Sequence, residues 1–201
     1  MPRAALLAQP AVIVIACCAL GWWLAPKVGL DAPVLGGLAE GGDWATPLRA
    51  AIVPSLTGAL VAGVAIAGFE AVAGDLLSGR AQAIELPLVT RMLYGGTLEE
   101  IVFRWALLPA VALGLMKLRL SMIPALWTAN AVTALLFAAG HVPGIMLAVT
   151  DPPGWLPVAV VLANTIAGLT FGWLFLRRGL EAAMIAHALA HLVSVPLMAL
   201  A

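Results

Sequence analysis

Long apolar runs alternate with short polar breaks along the whole chain. The runs cover residues 4–26, 50–69, 97–116, 121–141, 155–176 and 180–200. Each is close to the ~20 residues a helix needs to cross a bilayer. Their apolar character is continuous rather than alternating, which excludes a membrane β-barrel and leaves helices as the spanning elements. The expected fold is all-α: a polytopic transmembrane helix bundle of about six spans plus one interfacial helix.

The breaks differ in character. Residues 27–49 hold Gly36-Gly37, Gly41-Gly42 and acidic side chains, and read as a polar loop. Residues 74–96 mix Asp75, Arg80, Glu85 and Arg91 with apolar positions, so they suit a helix lying in the interface. Asp151-Pro152-Pro153-Gly154 reads as a turn. No repeat and no long linker divides the chain, so residues 1–201 read as a single transmembrane domain. Gly168-Leu-Thr-Phe-Gly172 spaces two small residues one helical turn apart, a pattern that lets helices approach closely within the bundle.

Composition adds a constraint. Of 201 residues, 63% are hydrophobic and 10% charged, far below the ~25% charged residues of soluble domains. Such a chain cannot cover a water-facing surface, so the lipid bilayer is its solvent. The formal net charge is zero and no basic block occurs, which argues against a nucleic-acid partner. Arginine far outnumbers lysine, a bias of GC-rich bacterial genomes, and the expected location is a cell inner membrane. Lys117, Arg119, Arg177 and Arg178 flank a two-span excursion, while residues 142–154 carry no Lys or Arg. The positive-inside rule places the basic turns in the cytoplasm and the N-terminus outside.

Cys17 and Cys18 are neighbours in an apolar run and are expected to pack in a helix. Val14-Ile15-Ala16-Cys17 loosely resembles a lipoprotein cleavage site, the alternative reading of the same residues.

The ionisable residues inside the spans carry the chemistry, because charge in a membrane is costly and is retained for function. Glu99, Glu100 and Arg104 open the third run, His141 is expected to end the fourth, and His187 and His191 lie in the sixth. These are all the histidines of the chain. Residues four apart share a helix face, so Glu100 and Arg104 can pair. Glu99 is rotated by about 140° from Arg104 on an α-helix and is left to point elsewhere. A Glu–His couple can hold and deprotonate water. His187 and His191 also share a face. They could donate to an oxyanion, or could join His141 and Glu99 as zinc ligands. Spacing leaves these two alternatives open, although no HExxH is present.

Three motifs carry a family resemblance. Glu99-Glu100-Ile-Val-Phe-Arg104 matches EExxxR and Phe137-Ala-Ala-Gly-His141 matches FxxxH. His187 matches a histidine followed four residues later by Asn or Asp, except that His191 stands in that last position. Over about residues 90–195 the chain resembles the CPBP family, the CAAX proteases and bacteriocin-processing enzymes, also called Abi. The resemblance implies a glutamate-dependent intramembrane endopeptidase without a cofactor, acting on a protein or peptide with a membrane-associated segment. Carried over, Glu99 is the general base, His141 its water-holding partner, and His187 and His191 the oxyanion donors. Glu100 and Arg104 are the supporting pair. The departure at His191 keeps zinc as an alternative. The competing classes are a small transporter or metal carrier and a non-catalytic scaffold or immunity factor. Oligomeric state is not legible.

Overall fold

The computed structural model describes residues 3–77 and 87–198, and among them it is helical with no strand. Helix α1 (Arg3–Leu24) runs into a 3-10 turn, Ala25–Val28. A short α2 (Pro33–Glu40) leads to the long α3 (Ala45–Leu77). An unbroken helical run follows. It begins as α4 (Leu88–Leu93), widens into π-helical turns over Tyr94–Glu99 and Ile101–Leu107, and ends as α5 (Leu108–Lys117). Then come α6 (Met122–Ala148), α7 (Leu156–Arg178) and α8 (Leu180–Met198).

Among the described residues four helices are long and apolar enough to cross a membrane: Pro10–Val28, Ala45–Leu77, Met122–Ala148 and Leu156–Arg178. Leu180–Val195 is a shorter apolar helix. The bundle is packed for an apolar solvent. Its buried side chains are largely alanine, while Val53, Leu60, Leu135 and Leu162 point outward. In lipid no hydrophobic gain follows from burying a leucine, so contacts are built from small residues that let backbones close up. Gly168 lies against Ala134, and a methyl at Gly172 would coincide with the Asn130 carboxamide. The small-residue pair therefore packs α7 on α6 within the chain. Gly63 packs on Ala190 and Val193, and Ser55 Oγ donates to the Ala182 carbonyl at 3.0 Å, which fixes α3 on α8.

Several boundaries move from those expected. The polar loop at 27–49 contains α2, started by Pro33 and closed by Gly41 in the left-handed region (φ 68°). The Glu181 carboxylate accepts the Leu35 N–H at 2.7 Å and ties α2 to the start of α8. Helix α3 begins earlier than expected, because Asp43 Oδ1 caps it by accepting the N–H groups of Ala45 and Thr46. It also ends later, beyond Glu70 and Asp75. The stretch 74–96, expected as an interfacial helix, is described only at its two ends. Its first residues continue α3 and its last ones continue into the Leu88 helix, while Arg80 and Glu85 fall outside the described residues. His141 does not end its helix: α6 runs on through Pro143 to Ala148. In apolar surroundings a released backbone carbonyl has no water to turn to, so a single proline does not stop the helix. Cys17 and Cys18 lie in α1 as free thiols, Cys18 on the outer surface.

Candidate active site

Arg104 occupies the centre of the bundle with 1% of its side chain exposed. Its Nη1 donates to Glu100 Oε1 at 3.1 Å and its Nη2 to the Gly168 carbonyl at 2.9 Å. The rings of Phe137 and Phe171 flank the guanidinium, with centroids 4.8 and 5.5 Å away. The Glu100–Arg104 pair expected from the four-residue spacing is present, and it is fully buried.

The same carboxylate oxygen receives a second donor. His187 Nδ1 lies 2.7 Å from Glu100 Oε1. A carboxylate only accepts, so Nδ1 carries the hydrogen and Nε2 faces the other way. The His187 ring stacks on Phe171, with centroids 4.3 Å apart. His187 is thereby held on both its edge and its face.

Glu99 faces away from Arg104, as expected, and sits between two imidazoles. Its Oε2 is 3.7 Å from His187 Nε2, and its Oε1 is 3.9 Å from His141 Nε2. These distances exceed direct hydrogen bonds and suit bridging by one water on each side. His141 Nδ1 donates to the Phe137 carbonyl at 2.8 Å, which leaves Nε2 directed at Glu99. The Glu99 side chain is 17% exposed and that of His141 35%, so this edge of the cluster is open. His191 stands beside His187, with centroids 5.5 Å apart, and makes no polar contact with either glutamate.

The wide turns and two glycines build this arrangement. A methyl on Gly95 would sit 2.7 Å from His187 Nε2 and 3.1 Å from His191 Nε2. One on Gly96 would sit 2.8 Å from the Ala188 Cβ and 2.9 Å from the Met184 carbonyl oxygen. Only bare backbone fits against α8 here. Sequence reasoning missed Gly95, Gly96 and Phe171. The Gly-Gly pair directly before Glu-Glu was a usable signal for a close approach, since π-turns often mark functional positions. Phe171 carried no signal, because an aromatic in an apolar run is ordinary core.

The structure thus brings Glu99, Glu100, Arg104, His141 and His187 together and leaves His191 at the side. Among the described residues no group of three or more His, Cys, Asp or Glu side chains is placed to hold a metal ion.

The family model described as "Type II CAAX prenyl endopeptidase Rce1-like" matches residues 82–193. That stretch carries every residue of the cluster. No curated protein and no solved structure matches the chain.

Removing one partner of a buried ion pair leaves the other charged in an apolar site, at a cost of about 3–5 kcal/mol. Arg104→Ala is therefore expected to lower the melting temperature of the purified protein markedly, and Glu100→Gln to lower it less. Thermal unfolding in one detergent checks this. An Arg104→Ala protein as stable as the wild type would count against the central pair.

Proposed function

The chain belongs to the Rce1-like family of type II CAAX prenyl endopeptidases, within CPBP, and from that premise we propose that it is an intramembrane peptide hydrolase of the glutamic type. It is a multi-pass membrane protein of a family that cleaves proteins in membranes. The observation that supports the mechanism is the placement of Glu99 between two imidazole Nε2 atoms, partly open, beside a fully buried Glu100.

In this reading a water held between Glu99 and His141 attacks the scissile carbonyl carbon. Glu99 takes the proton of that water as the new C–O bond forms. His187, held through Nδ1 by Glu100, donates from Nε2 to the developing oxyanion. When the tetrahedral species collapses, the C–N bond breaks and Glu99 returns its proton to the leaving amine. The products are a new carboxylate and a new amine. Arg104 touches no reacting atom. It is the counter-ion of Glu100, and Glu100 orients His187, so both are positioning residues. His191 serves as a second donor at the rim of the site.

The spans in this proposal number six, the Leu88–Lys117 run and α8 joining the four long helices. The chain then alternates across the membrane. Lys27, Arg49, Lys117, Arg119, Arg177 and Arg178 gather at one end, and the open edge of the Glu99 site lies towards the other. The positive-inside rule sets the basic end in the cytoplasm and the site towards the outer face of an inner membrane. The substrate is a protein with a membrane-associated segment that reaches the site from that side.

Three measurements test the reading. Glu99→Gln keeps shape but cannot accept the proton, so turnover per folded molecule is expected to fall about 10²–10⁴-fold with the melting temperature unchanged. Near wild-type turnover in that variant would end the assignment of Glu99 as base. Chelators are expected to leave cleavage unchanged in purified protein. Loss of activity on chelation, with recovery on adding zinc, would overturn the metal-free mechanism. In a Cys17→Ser, Cys18→Ser background, a membrane-impermeant maleimide applied to intact cells is expected to label Thr150→Cys and not Ser121→Cys. The reverse pattern would invert the topology.

A further inference from the structure

A cavity of about 340 Å³ opens at the basic end of the bundle and shares no residue with the Glu99 site. Leu30, Pro33 and Phe175 give it apolar wall, and Asp31, Arg177 and Arg178 line it with charge. Two backbone features hold these groups together. Gly179, with φ 89°, turns the chain from α7 into α8 and lies so close to Pro33 that a methyl there would overlap the proline ring. The Leu180 N–H donates to the Asp31 carbonyl oxygen at 3.1 Å. Asp31, Arg177 and Arg178 are exposed, and among the described residues their side chains form no ion pair with one another or with any other group. Opposite charges thus line one cavity without meeting. The buried carboxylate of Glu181 is near enough to repel Asp31 and adds to the negative charge on that side.

The surroundings are those of a membrane boundary. Trp22 and Trp23 are exposed near the end of α1, and the Lys27 ammonium lies 3.2 Å from the Trp23 ring centroid. Tryptophan and lysine of this kind sit at the level of lipid headgroups. Pro33, in the cavity wall, opens α2, whose Leu35 and Leu38 are exposed. We infer that the cavity binds the headgroup of an aminophospholipid, with its phosphate on Arg177 and Arg178 and its primary ammonium on Asp31. A guanidinium presents a planar fork of N–H donors that matches phosphate oxygens. A primary ammonium brings three N–H donors to a carboxylate, which only accepts. An anion alone would face Asp31, and a cation alone would face two guanidiniums. A ligand carrying both signs satisfies all three side chains. A choline headgroup keeps both charges but has no N–H to give Asp31. Free phosphoethanolamine has the same polar groups, but it has no chains to lie along the apolar surface that α2 presents beside the cavity. A headgroup held this way ties the end of α7 to the segment before α2, so its binding is expected to raise the melting temperature.

The test uses the full chain, purified in detergent and stripped of lipid, with bound lipid counted by native mass spectrometry across a titration. The probes are phosphatidylethanolamine, phosphatidylcholine and phosphatidylglycerol with identical oleoyl chains, and soluble glycerophosphoethanolamine. The ethanolamine lipid is expected to bind about tenfold more tightly than the choline lipid, since hydrogen bonds between charged groups are at stake. It is also expected to bind more tightly than the glycerol lipid. Asp31→Asn is expected to abolish the preference for ethanolamine over choline, and Asp31→Glu to keep it. Arg177→Gln with Arg178→Gln is expected to weaken both lipids together. Lys117→Gln removes a charge from the same end outside the cavity and is expected to change neither. If the double arginine variant fails to fold, the headgroup series on the wild type and the two Asp31 variants still decides. Equal affinity for ethanolamine and choline lipids, no binding of either, or a preference that survives Asp31→Asn overturns the inference. So does tightest binding of the glycerol lipid, weakened as much by Lys117→Gln as by loss of the two arginines, which is surface attraction alone. Soluble glycerophosphoethanolamine binding as tightly as the lipid would overturn the assignment to a lipid. None of these readouts depends on cleavage, so they stand apart from the catalytic reading.

Discussion

A guanidinium in the middle of an apolar bundle must be neutralised, and the rest of the site depends on how Arg104 is. Its charge is met by Glu100 through Nη1, its Nη2 by the Gly168 carbonyl, and its faces by Phe137 and Phe171. Beyond Glu100 of its own helix these partners come from α6 and α7, so satisfying one side chain brings both against the wide-turn helix. Glu100 then passes the constraint to α8 through His187. A buried pair of this kind contributes little net stability compared with apolar packing, but half of one is very costly. Its value lies in specifying one arrangement, since any slip of these helices would leave a charge stranded.

That specification works only because the backbones are close. Gly168 can offer its carbonyl to Arg104 because nothing projects from its Cα towards Ala134. Gly95 and Gly96 do the same for α8, where both imidazoles reach the wide-turn backbone. Large apolar side chains such as Val53, Leu60, Leu135 and Leu162 sit on the outside, where lipid solvates them as well as protein would. Polar chemistry at the centre and small residues around it are two parts of one packing solution.

Much of this was legible in the sequence. The apolar runs located the helices, because bilayer thickness imposes a length that composition reveals. The Glu100–Arg104 pair followed from four-residue spacing, and it survived although the helix there is not a regular α-helix. The histidines stood out because ionisable groups are scarce in such a chain. Boundaries were less legible. Proline and glycine signals that stop helices in water did not stop α6 at Pro143, and charged residues near the ends did not confine α3 or the Leu88 helix. The His187–Glu100 contact was also hidden. It joins residues far apart in the chain, and only the depth of helix approach, set by Gly95 and Gly96, decides it.

The wide turns explain how two consecutive glutamates come to serve one histidine. On a regular α-helix neighbours diverge by about 100°, so one carboxylate facing α8 would leave the other facing elsewhere. A π-turn spreads more residues over each revolution and so narrows the angle between neighbours. Glu100 can then reach His187 Nδ1 at 2.7 Å while Glu99 lies 3.7 Å from Nε2 of the same ring. The two nitrogens meet carboxylates with opposite surroundings. Glu100 is sealed, shared with Arg104 and 0% exposed, while Glu99 is 17% exposed and held by no direct hydrogen bond to either imidazole. A carboxylate oxygen clamped by two donors is committed to them, while a looser carboxylate beside an opening has lone pairs free to meet a water. Backbone geometry over a few residues thus turns a repeated amino acid into two different chemical groups.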